Sequence, residues 1–106
     1  MDREQKTPEC RDWSAVHDRM PPGPWTLRVH GTCEFPTAGY SVELKLSESQ
    51  EPSARELFLD LLIHEPSGPV AQVITEVDAH YEVGTDVEYE AVTIRGYVSI
   101  PVEIVW

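Results

Sequence analysis

Four ionisable side chains at alternating positions, Glu76, Asp78, His80 and Glu82, form the densest concentration of possible chemistry in the chain. Residues two apart on an extended backbone project from one face, so these carboxylates and this imidazole could meet a divalent cation together. Same-face neighbours diverge along a strand, however, and a cation site recruits ligands from other strands too. The favoured reading is therefore the solvated outer face of a strand, and no metal is assigned. His30 and His64 are expected on outward faces and His17 in an N-terminal leader, none at ligand spacing from another. All three read as surface histidines.

Cys10 and Cys33 lack CxxC spacing and have no neighbouring His or Cys to complete a zinc site, which favours two ordinary thiols. The alternative is a bridge tying the N-terminal segment to the first strand, and it requires an oxidising compartment. Serines are present without a GxSxG elbow, and no GxGxxG or P-loop cradles a phosphate. Among 19 acidic residues, neighbouring carboxylates arise by chance, so no glycosidase pair is argued. No catalytic residue or cofactor is assigned, and the chain reads as non-enzymatic.

The elements that must carry these residues are strands. From Trp25 onward the hydrophobic period is two: Trp25, Leu27, Val29, Cys33 and Phe35 share one face, and Tyr40, Val42, Leu44 and Leu46 resume it after a turn. The spacing predicts a hairpin from these two strands. Ser47 to Arg55 reads as a solvated loop long enough to cross between sheets. Leu57, Leu59, Leu61 and Ile63 then mark a strand in preference to a helix, Val70 to Val83 a long strand, and Val87 to Ile94 a strand with a bulge near Ala91. Tyr97 to Trp106 closes the pattern, with Pro101 requiring an edge or a bulge.

Residues 1–24 are polar and end in Pro21, Pro22, Gly23 and Pro24. They read as a partly flexible extension, frayed over residues 1–8, with a short helix or docked arm carrying Trp13, Val16 and Met20. The predicted organisation is an N-terminal extension (1–24) and a β domain (25–106). The fold class is an all-β, immunoglobulin-like antiparallel β-sandwich of six to seven strands, with an irregular or short-helical N-terminal segment.

The 106 residues suit one domain, and their 41% apolar content suits a packed core. The net charge is −11, and residues 1–24 are almost balanced, with Arg3, Lys6, Arg11 and Arg19 against Asp2, Glu4, Glu9, Asp12 and Asp18. The β region therefore holds nearly all the excess. Such a body repels phosphate backbones and anionic lipids, so neither nucleic acid nor membrane is expected as a partner. No apolar run reaches the ~20 residues of a membrane span, and MDREQKTPEC lacks the layout of a secretory signal. A cytoplasmic protein is expected, or a secreted one if Met1 is not native.

One apolar set falls outside the inward pattern. Phe58 and Leu62 share a face with Asp60 and His64, and Ile74 departs from the polar face of the next strand. Soluble monomers seldom leave such a patch open. The expected covers are the N-terminal segment, through Trp13 or Val16, and a second copy in a homodimer.

Three short stretches resemble known families. Ala79, His80, Tyr81, Glu82 and Val83 resemble the tyrosine-corner passage of immunoglobulin domains, with Val83 where the family has cysteine. Pro36, Thr37, Ala38, Gly39 and Tyr40 are similar to a wedge loop of chagasin-like cysteine-protease inhibitors, which implies a binding role for Pro36, Thr37, Gly39 and Tyr40. GTCEFPTAGYSVEL and IPVEIVW resemble segments of small uncharacterised bacterial sandwich proteins. The functional expectation is a protein-binding or assembly module. The alternatives are a protease-inhibitor-like domain using the 36–40 loop, and a binder of carbohydrate through exposed aromatics such as Tyr97 or of metal through the acidic face.

Overall fold

The computed structural model describes residues 8–50 and 55–106. Runs of alternating apolar and polar side chains, rich in β-branched and aromatic residues, form strands here because such side chains pack on a pleated, half-buried surface. They are β1 (Glu9–Asp18), β2 (Thr26–Phe35), β3 (Ser41–Leu46), β4 (Glu56–His64), β5 (Thr75–Gly84), β6 (Ala91–Ile94), β7 (Val98–Pro101) and β8 (Glu103–Val105). They build two four-stranded sheets, ordered β5-β2-β1-β8 and β3-β4-β6-β7. No helix among the described residues is long and apolar enough to cross a membrane.

The all-β class matches expectation, and five of its details do not. Among the described residues, eight strands replace about six to seven. Two pairings, β1 with β8 and β4 with β6, are parallel rather than antiparallel. The segment expected to be irregular or helical is β1, an inner strand of the first sheet. Its alternation was masked because Trp13, Val16 and Met20 also satisfy a helical period. The predicted β2–β3 hairpin is also absent, since Pro36 to Tyr40 carries the chain from the first sheet to the second. Conversely, the stretch after Leu46 does not cross, because β3 and β4 pair antiparallel in one sheet. Of the expected frayed tail, residues 1–7 lie outside the described residues, as do residues 51–54 of the loop before β4.

Inward faces of both sheets meet in one core of Ala15, Leu27, Val29, Leu44, Leu57, Leu59, Ala79, Val92, Ile94 and Ile100. Of the expected inward sets, Leu27 and Val29 of β2 and Leu57 and Leu59 of β4 are in it, and Leu61 packs against it. Strands shorten where the pattern fades: β5 begins at Thr75, leaving Val73 and Ile74 exposed, and Val87 is exposed in the β5–β6 connection. Glu90 and Ala91 both donate their amides to the Arg55 carbonyl, 2.7 and 3.4 Å away. The two amides share one carbonyl just where β6 begins, while the β4–β6 register itself runs on without a shift, so the bulge expected near Ala91 is not in that ladder. Pro101 lies on β7, an edge strand, where its missing donor is harmless.

Cys10 and Cys33 are cross-strand partners on the inward face and are joined by a disulfide, so the two-free-thiol reading is corrected. Sequence spacing could not show this, because the pairing depends on β1 lying beside β2.

Beyond Cys10 the β1–β2 register shifts between Arg11 and Ser14, with Asp12 at a φ of 58°. Aspartate tolerates this left-handed conformation better than most residues. The bulge swings the Trp13 ring onto Gly31, whose neighbour on β5 is the small Ala79. A β-carbon at Gly31 would run into Trp13 Cε3, and a rigid indole cannot yield by bending. Gly31→Ala is therefore expected to destabilise the fold by about 1–3 kcal/mol. Thermal unfolding of the single and the Trp13→Ala double variant checks it, since the glycine substitution should be almost silent once the ring is gone.

Candidate functional site: a buried cation at one end of the sheets

Inward alternation along β1 runs through Trp13, Ala15 and His17 and continues one step past the strand to Arg19. The Arg19 amide donates to the Val105 carbonyl at 2.7 Å, which extends the β1–β8 pairing and fixes the side chain toward the interior. His17 is fully buried and Arg19 is only 6% exposed. The surface position expected for His17 is thus corrected, because the period of β1 is two and His17 falls on its inward phase.

An arginine Nε can only donate, so the 3.1 Å contact from Arg19 Nε makes His17 Nδ1 an acceptor. The hydrogen of this imidazole is therefore on Nε2, which donates to the Thr85 carbonyl at 3.0 Å. The His17 ring stands edge-on to Trp25, with centroids 5.5 Å apart. Arg19 Cζ lies 4.5 Å from the Trp25 ring centroid and 5.5 Å from that of Trp106. Indole faces attract a guanidinium through the ring quadrupole.

Two indoles and one imidazole thus occupy part of the guanidinium surface. No carboxylate pairs with Arg19 among the described residues. Arg19 also lines a cleft of about 290 Å³, together with Arg55, Glu88, Tyr89, Glu90, Val102 and Ile104. Arg55 and Glu88 are 3.9 Å apart and largely neutralise each other. The charges left are the Arg19 cation within and the Glu90 carboxylate at the rim. Exposed apolar side chains lie at the same end: Met20 next to Arg19, Ile104, Val105 and Trp106 on and after β8, and Val87 two residues beyond the Thr85 that receives His17.

Residues singled out from the sequence lie elsewhere. Glu76, Asp78, His80 and Glu82 do share the outer face of β5, opposite Glu34, Thr32, His30 and Arg28 of β2. Basic side chains cross-link this face. Arg28 stands 3.5 Å from Asp18 and 3.8 Å from Glu82, and His30 stands 3.6 Å from Asp78. Arg11 reaches from β1 to Glu34 and hydrogen-bonds Glu76. That bond, and then the charge of Glu76, hold the Arg11 proton more tightly than in a free guanidinium. Among the described residues, no three His, Cys, Asp or Glu side chains are placed to hold a metal ion.

Phe58 and Leu62 lie half-buried on β4 in the second sheet, whereas Ile74, 67% exposed, precedes β5 in the first. They do not form the single interface expected. Nor are Trp13 and Val16 on the sheet that carries Phe58 and Leu62, since both belong to β1 in the other one.

The Pro36 to Tyr40 loop is braced rather than projecting free. The Ala38 amide donates to the Ala71 carbonyl at 3.1 Å, and the Tyr40 ring stacks on Phe35 at 4.4 Å. Gly39, at a φ of 95°, sits where a β-carbon would meet Pro66 at 2.6 Å. Tyr97, expected to be exposed, is half-buried against the core, and burial pushes its hydroxyl pKa up. Tyr81 sits opposite Val29 well inside β5, and burial, then the charge of Tyr89, raises its hydroxyl pKa.

Sequence reasoning missed His17, Arg19 and Trp106 as a group. The available signal was the odd-numbered series Trp13, Ala15, His17 and Arg19, which has the strand period. Comparison with family models, with curated proteins and with solved structures found no match.

Proposed function

We propose that this chain is a non-enzymatic protein-binding module of immunoglobulin-like sandwich type, and that it recognises its partner with the Arg19 end of the two sheets. One observation carries the reading. A cation that is almost wholly buried, without a carboxylate among the described residues, lines a cleft together with exposed Ile104, and its guanidinium lies against the exposed Trp106 ring.

Burying a charge without an opposite one is unfavourable by several kcal/mol, and an apolar side chain there would serve stability better. Indole stacking recovers only part of that. A partner that supplies the anion and covers the indole resolves both features together, and interface centres are enriched in Trp and Arg for this reason. Parallel pairing of β1 with β8 suits the immunoglobulin-like reading, whereas Tyr81, well inside β5 and not at a strand corner, and the parallel β4–β6 pairing depart from it. An oxidising compartment suits the chain, because a Cys10–Cys33 bridge persists there and not in a reducing cytoplasm.

Capture from native extract with paired baits tests the proposal. The unaltered chain is expected to retain a stoichiometric protein that the Trp106→Ala and Ile104→Glu variants lose by at least about tenfold, a typical effect of removing an interface anchor. Equal retention by all three baits would place recognition elsewhere. Sedimentation that shows a concentration-dependent dimer, abolished by Trp106→Ala, would identify the partner as a second copy.

A further inference from the structure

Resting on that reading of the Arg19 end, we infer that the cleft takes the C-terminal residue of a partner chain, with a free α-carboxylate, an aliphatic side chain and basic residues just before it.

The shape of the guanidinium leads to the carboxylate. Trp25 and Trp106 stack against it, and its Nε edge is given to His17. What remains is the edge carrying the two terminal nitrogens, which have no partner among the described residues. Their four N–H groups form a planar fork that matches the two oxygens of a carboxylate. A neutral amide terminus could accept at only one oxygen and would leave the cation uncompensated.

The rest of the ligand follows from the walls. Val102, Ile104 and Tyr89 give the cleft an apolar side, which suits an aliphatic side chain. At about 290 Å³ it lies at the lower end of ligand-site volumes, enough for one residue rather than a long segment. Glu90 at the rim carries no ion pair with a described residue and can accept from the ligand's last backbone N–H or from a preceding lysine. The wider field points the same way: a chain of net charge −11 repels an acidic tail and attracts a basic one. Capture of a terminal carboxylate is an established way for small domains to read peptides.

Three probes on the unaltered protein separate the outcomes, read by fluorescence of the indoles that flank Arg19. They are the peptide acetyl-Lys-Lys-Val-Leu with a free carboxylate, the same peptide as its C-terminal amide, and free L-leucine. The acid peptide is expected to give a saturable change at least about tenfold tighter than the amide, since a charged, bidentate bond is lost in the latter. Arg19→Lys, which keeps the charge but not the fork, should erase most of that preference. Glu90→Gln, at an exposed position, should weaken the acid peptide severalfold without altering its preference over the amide.

Equal binding of acid and amide, or no saturable change at millimolar peptide, would overturn the inference. Leucine binding as tightly as the peptide would overturn it too, by making the cleft a small-molecule site. If the peptides fail while Trp106→Ala still abolishes capture of a protein, only the ligand chemistry falls and the binding surface stands.

Discussion

His17→Ala is expected to lower the stability of this protein by about 3–5 kcal/mol, the range for breaking a buried charged network at one partner. Two losses combine in it. The imidazole is fully buried, so its removal leaves a cavity beside Trp25. It also joins Arg19 Nε, 3.1 Å away, to the Thr85 carbonyl, 3.0 Å away. Alanine strands both, and the Arg19 cation loses its one hydrogen bond to a described side chain. For a domain of this size the change corresponds to a fall in melting temperature of roughly 15 °C or more. His17→Phe divides the effect, since it refills most of the volume without restoring either hydrogen bond. It should recover part of the loss, and a thermal scan of the three proteins measures how much. A loss under about 1 kcal/mol in the alanine variant would mean that the end of β1 is not organised by this histidine.

Opening the Cys10–Cys33 bridge is the second large effect. The bridge closes a 23-residue separation between β1 and β2, and the entropy it removes from the unfolded chain stabilises the fold by about 3 kcal/mol. Urea unfolding with and without reductant should show it as a drop in midpoint of about 1–2 M, given the usual dependence of small domains on urea. The Cys10→Ala/Cys33→Ala protein should match the reduced one to within the cost of the lost sulfur packing, because Cys33 is fully buried. Coincident curves under both conditions would show that the two sulfurs are not joined.

Both effects lie on β1, the element least legible from the sequence. Its inward residues Trp13, Ala15, His17 and Arg19 include a histidine and an arginine, which propensity assigns to the surface. Only the neighbours that pair with them explain their burial: His17 has the carbonyl of Thr85, and Arg19 has His17 and two indoles. In β2 and β4 the inward positions are nearly all apolar, and there alternation alone found the buried face. At Leu46 it misled, because β3 ends there and the side chain is exposed while the next residue, Ser47, is buried.

The outer acidic face shows the same division. That Glu76, Asp78, His80 and Glu82 point one way follows from the period of an extended chain, whatever lies beside it. That Arg11 spans from β1 to Glu76, and that Arg28 divides itself between Asp18 and Glu82, follows only from the order β5-β2-β1. A cation cluster and a cross-linked surface are alike in sequence and differ in which strand arrives next door.

Residue pattern alone therefore determined the all-β class, the buried faces of β2 and β4, the Pro101 edge and the acidic row of β5. Each depends on one strand's own period or on one residue's backbone chemistry. The tertiary structure alone decided the place of β1, the parallel pairings, the disulfide and the Arg19 cleft. The reason is that every strand offers the same backbone donors and acceptors along its sides. Which neighbour takes them is settled by how bulky side chains such as Trp13 fit against small ones such as Gly31 and Ala79, across elements far apart in the chain.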